Sequence, residues 1–138
     1  MVRKWSWRWR PLHDNMDLVI WTPREYNTVA DHCCNVPLDA KRSWSKVQSE
    51  LLAHALLSEQ CLRLCVDGGR RSQKDGAIGM ALYSVTFSYD GNAVYTLLAR
   101  MGKLLASIDS AFVAEAAALE WALQYLVELF KGKVAASE

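Results

Sequence analysis

The chain has 138 residues, 51% of them hydrophobic and 22% charged, with 7 Gly and 3 Pro. That composition excludes collagen-like, low-complexity and wholly disordered polymers, and the length suits one domain with its own core. Sixteen Lys and Arg against fifteen Asp and Glu leave a formal charge of +1, so no whole-protein field draws it to nucleic acid or acidic lipid, and a polyanion must be held locally. No run approaches the roughly 18 apolar residues of a membrane helix, and the basic start has no apolar signal core, so an intracellular protein without membrane partners is expected. The cysteines at 33, 34, 61 and 65 lack zinc-site spacing and are expected as reduced thiols.

Residues 1–17 form a basic, Trp-rich arm. Trp5, Trp7 and Trp9 alternate with Ser6 and Arg8, a period of two that suggests an extended segment. Leu18-Val19-Ile20-Trp21 reads as a buried strand stopped at Pro23. Asn27 or Thr28 can cap a helix through Ala30, Asp31 and Cys34, with Pro37 ending or kinking it. Apolar residues at helical spacing predict a second helix over 43–58, a connector lying on the core. Residues 61–66 predict a strand delivering Asp67 into a sharp exit at Gly68-Gly69. Residues 76–87 and 93–100 predict a hairpin around Asp90-Gly91-Asn92. A long helix over 111–130 follows, capped by Ser107 or Asp109 and closed by Gly132, with Phe112, Ala116, Leu119, Leu123, Leu126 and Phe130 on one stripe. The whole is a mixed α/β domain.

Three acids stand out by position. Asp67 ends an apolar strand, where a carboxylate gains nothing from packing. Glu115 sits a turn into the long helix among Ala114, Ala116, Ala117 and Ala118. Asp31 lies early in the short helix. Each also has a bland reading, Asp67 as a turn former and the other two as charges favourable near helix N-termini.

Together they resemble a known family. Residues 61–67 with Gly68 and Gly69, the strand beginning Gly76-Ala77-Ile78-Gly79, the hairpin and the helix Ala114-Glu115-Ala116-Ala117-Ala118-Leu119 resemble the front half of a type 1 ribonuclease H domain. Trp21-Thr22-Pro23-Arg24-Glu25-Tyr26-Asn27-Thr28-Val29-Ala30-Asp31 is similar to the back end of that domain, where an Arg-Glu-x-Asn-x-x-Ala-Asp signature opens the last helix. The resemblance covers roughly residues 17–36 and 60–127, in reversed order. It implies either a circularly permuted domain over 18–131, with 18–36 as the family's C-terminal element, 37–59 as a helical connector and 60–131 as its N-terminal half, or a piece of a tandem array.

The implied fold is a ribonuclease H-like mixed sheet with flanking helices and one central strand missing, the strand that carries the family's third acid. The resulting gap is expected to close by pairing of the 18–21 strand directly with 61–66, or by a strand from another chain through self-association. The implied activity is hydrolysis of the RNA strand of an RNA–DNA hybrid with two Mg2+ or Mn2+ ions. In that reading Asp67 bridges both ions, Glu115 holds one and Asp31 the other; Arg70, Arg71, Lys74, Arg24 and Asn27 are the residues expected to contact nucleic acid, and in a module that only binds, Arg3, Arg8 and Arg10 would add to the grip of the loop cations. Two alternatives stand beside it: a non-catalytic nucleic-acid-binding module that keeps the fold, and a retroelement remnant.

Overall fold

The computed structural model describes residues 4–9, 19–22 and 27–137. Its elements in chain order are β1 (Lys4–Trp9), β2 (Val19–Thr22), α1 (Thr28–Ala40), β3 (Trp44–Val47), α2 (Ser49–Leu57), β4 (Cys61–Ser72), β5 (Asp75–Phe87), β6 (Ala93–Leu105) and α3 (Ala111–Ser137). The protein is α/β. Strands β4, β5, β6 and β3 form an open antiparallel sheet, which β1 and β2 extend at the β4 edge to the order β2-β1-β4-β5-β6-β3.

Every strand pairing among the described residues is antiparallel, so the sheet is not mixed in its ladders. The expected gap is absent too. The Trp-rich segment β1 lies between β2 and β4, with Trp5 opposite Val66 and Trp9 opposite Leu62, while Trp5 also pairs with Trp21 on its other side. The 19–22 strand therefore reaches β4 only through β1, and no donated strand is needed, because the chain's own N-terminal segment satisfies the β4 backbone. Two antiparallel steps leave β2 running in the same direction as β4.

Alternation along β4 and β5 sorts the two faces. Leu62, Leu64, Val66, Ile78, Met80 and Leu82 point to one side and join Ala118, Ala122 and Leu126 of α3 and Leu52 and Ala55 of α2 in the main core. Burying each large side chain there contributes roughly 1.5–3 kcal/mol. On the opposite face, α1 packs Cys34 and Leu38 against Ala77. Helices thus cover both faces, α3 over β4 and β5, α1 over β4, β5 and β6.

Several local expectations are corrected. Residues 44–47 are a strand rather than helix, because they complete the free edge of β6 from Trp44 opposite Gly102 to Val47 opposite Ala99. β4 does not turn at Gly68-Gly69 but continues paired to β5. Helix α1 runs through Pro37 to Ala40 and stops at Lys41, which adopts φ 57 and donates its N–H to the Pro37 carbonyl at 2.8 Å. The carbonyl that Pro37 leaves without its helical donor belongs to Cys33, and it lies against Gly102, where a Cβ would collide with it. At the start of α3 the cap is Ser110, whose Oγ accepts from the Val113 N–H at 3.2 Å. The buried stripe of α3 is Ala114, Ala118, Ala122 and Leu126, whereas Phe112 is 78% exposed. Small residues win that stripe because α3 approaches the sheet backbone closely. Gly132 does not close the helix, which continues to Ser137.

Candidate functional site

The site begins with the pleat of β4. Since Leu64 and Val66 face α3, Asp67 faces the α1 side, and it is only 3% exposed. Gly68, the next residue, faces α3, and a Cβ there would fall on the carbonyl group of Ala114 and close to the Glu115 nitrogen. A strand with any other residue at 68 would hold α3 away from the site.

Helix α1 supplies the second wall. Its inner face is Ala30, Cys33, Cys34, Pro37 and Leu38, which leaves Asp31 and Asn35 on the flank, one turn apart. Asn35 Nδ2 donates to Asp31 Oδ2 at 3.3 Å. Asn27, at the N-cap position, does not cap the helix with its side chain. It is 2% exposed, and its Nδ2 donates to the Val66 carbonyl at 3.0 Å. The amide sequence reasoning offered to nucleic acid is instead turned into the sheet, where it pins the start of α1 beside Asp67.

Asp31 and Asp67 consequently line one cavity of about 190 Å3, together with Cys34, Asn35, Arg70 and Arg71. Helix α3 contributes Ala111 to its lining; Glu115 is not part of it, and Glu115 Oε1 is shielded from solvent. Arg70 and Arg71 are exposed at the end of β4, and Lys74 is exposed in the β4–β5 turn. Arg71 is engaged with Asp39 of α1 at 2.6 Å, and Lys41 pairs with Asp75 at 2.7 Å. These two ion pairs hold the β4–β5 hairpin end to the C-terminus of α1. Arg3, Arg10 and Arg24 lie outside the described residues, as do Pro23 and Tyr26.

Hard oxygen donors suit Mg2+ or Mn2+, and the carboxylates of Asp31 and Asp67 and the amide of Asn35 are the side chains of that kind lining the cavity. They do not make a cluster for two ions: among the described residues no group of three or more His, Cys, Asp or Glu side chains is placed to hold a metal. Asp75 and Asp109 are likewise not in the cavity lining. His32 and His54 are exposed. No disulfide joins the four cysteines: Cys33, Cys34 and Cys65 are buried, and Cys34 Sγ donates to the Ala77 carbonyl at 3.3 Å. Burial pushes the Cys33 thiol up to about 11.

Sequence reasoning missed Asn35. Its signal was the four-residue spacing from Asp31, which places both on one helix flank. Among the described residues no helix is long and apolar enough to cross a membrane. In comparisons with known proteins, the chain matches no family model, no curated protein and no solved structure.

Proposed function

We propose that the chain is a circularly permuted ribonuclease H-like domain that hydrolyses the RNA strand of RNA–DNA hybrids at the Asp31–Asp67 cavity. One observation carries the reading. The two segments that resemble the family's back and front ends meet through the Asn27 to Val66 hydrogen bond, and that meeting brings Asp31 and Asp67 to the same cavity. Gly68 supports it by letting the Glu115-bearing helix lie against the same strand.

Asp67 and Asp31 would hold a divalent ion, with Asn35 orienting Asp31. Such an ion, when bound, supplies Lewis-acid stabilisation of charge building on a phosphoryl oxygen. The chain's own contribution is positional. The near-complete burial of Asp67 fixes its carboxylate, and Arg70, with Lys74 beyond it, stands where a phosphodiester backbone would run past the cavity mouth. Arg71 joins them only by leaving Asp39.

A second reading is favoured by the absence, among the described residues, of a group of three potential metal ligands: a module that binds nucleic acid without cutting it. One experiment separates the two. A labelled RNA–DNA hybrid is incubated with the chain in Mg2+ or Mn2+, with Asp67→Asn in parallel, and binding is read on the same samples. Cleavage lost in Asp67→Asn supports the nuclease. Binding without cleavage supports the module, and neither binding nor cleavage sinks both.

A further inference from the structure

Helix α1 covers only one end of its sheet face, the end where Gly69, Gly79 and Gly102 meet Ala30, Cys33, Cys34 and Pro37. The other end of that face carries Arg63 of β4, Tyr83 of β5, and Tyr95 and Arg100 of β6, by the register that pairs Arg63 with Tyr83, Val85 with Tyr95 and Ala81 with Arg100. Tyr95 is 46% exposed, and Arg63, Tyr83 and Arg100 are half-buried. The tyrosine rings meet edge to face at 6.3 Å, and the Arg63 guanidinium lies over the Tyr95 ring, 5.5 Å from its centre.

The charge on this surface is one-sided. Lys46 of the edge strand β3 stands directly opposite Arg100. Like charges opposed in this way repel and destabilise a sheet. The strand positions of this stretch bring no carboxylate to offset them. In addition, Arg63 Nε is shielded from solvent and meets no acceptor among the described residues. The tyrosines lie among Arg63, Arg100 and Lys46, across a width from β4 to β3 of three strand spacings, roughly 14 Å.

We propose that this half of the sheet, which no described helix covers, is a binding platform for single-stranded nucleic acid, with bases stacking on Tyr95 and Tyr83 and phosphates paired by Arg63, Arg100 and Lys46. Aromatic rings on an open sheet supply sequence-tolerant stacking, and flanking cations follow the backbone. A duplex keeps its bases stacked inside and offers the rings nothing. The platform does not include Asp31 or Asp67, so it stands independently of the hydrolytic reading.

The test is fluorescence anisotropy of the full chain with a labelled oligouridine of about 12 nucleotides, against an RNA–DNA hybrid of equal length. Tyr95→Ala should weaken single-strand binding about fivefold to a hundredfold, and Tyr95→Phe should retain it. Arg100→Gln and Lys46→Gln, the latter at an exposed position, should each lower the slope of log affinity against log salt by about 0.7. No single-strand binding at low salt, equal affinity in Tyr95→Ala and the parent, or tighter binding of the hybrid through the same residues would overturn the proposal; circular dichroism on each variant excludes unfolding as the cause of a loss.

Discussion

Asn27 donates from Nδ2 to the carbonyl of Val66 at 3.0 Å, across 39 residues of sequence, one residue before the carboxylate of Asp67. A buried amide spent on a strand carbonyl ties the entry of α1 to the strand that carries the candidate site. Removing one partner of such a bond leaves the other group desolvated and unmet, at about 1–3 kcal/mol. Asn27→Ala should lower stability by that amount in urea unfolding. Asn27→Asp should cost more, because it turns a carboxylate toward the carbonyl oxygen. Unchanged midpoints would show that the bond contributes nothing.

Two glycines should respond in opposite directions to the same change. Gly79 lies against α1, where a Cβ would overlap the Cys34 nitrogen and the Ala30 carbonyl oxygen, so Gly79→Ala must push helix from sheet and should cost several kcal/mol, on the order of 3 or more. Gly132 sits in the exposed part of α3 with open space around it, so Gly132→Ala should stabilise by about 1 kcal/mol through helix propensity alone. Thermal unfolding of the two variants checks both signs.

Alkaline pH should destabilise the fold. Burial raises the Cys33 thiol from 9.0 to about 11, and burial likewise raises the Tyr83 hydroxyl from 10.0 to about 12. Both groups hold their protons more tightly folded than unfolded, so this contribution is intact below pH 9 and is lost as pH climbs toward 11 and 12. For Cys33, which has no exposed surface, the loss is about 2–3 kcal/mol. Cys33→Ala should flatten the decline between pH 9 and 11 in chemical denaturation series. The same burial predicts that thiol reagents at neutral pH label Cys61, which is half-buried, well before Cys33.

β1 is integral to the sheet, not an appendage. Deleting residues 1–9 strips β4 of its partner from Leu62 to Val66 and leaves β2 without one. An unpaired edge templates association between chains. The deletion variant should elute as oligomer or aggregate in size-exclusion chromatography, and a compact monomer would show that β1 is dispensable.

If the Asp31–Asp67 cavity is hydrolytic, Asp31→Asn should reduce hybrid cleavage more than about a hundredfold, since substitutions that only support metal ligands already cost 10- to 100-fold. Asn35→Ala, which removes the donor to Asp31, should fall within that smaller range. Initial rates in Mg2+ and Mn2+ measure both.

Much of this protein was legible in its sequence. The period-two Trp segment, the hairpin at Asp90-Gly91-Asn92 and the long helix from Ala111 are local patterns, fixed by backbone preference and alternation. The spacing of Asp31 and Asn35 likewise followed from helix geometry. Other features were settled only in three dimensions. Residues 44–47 became strand because β6 had a free edge, and β1 entered the sheet because β4 did. The buried stripe of α3 moved to Ala114, Ala118 and Ala122 because Gly68 lets the helix touch backbone. Partner strands and helix–sheet distance are non-local quantities that no window of residues encodes. The same holds for chemistry: sequence nominated three acids, but packing put Asp31 and Asp67 on one cavity, left Glu115 out of its lining and laid two tyrosines among cations on a sheet face beyond the reach of α1.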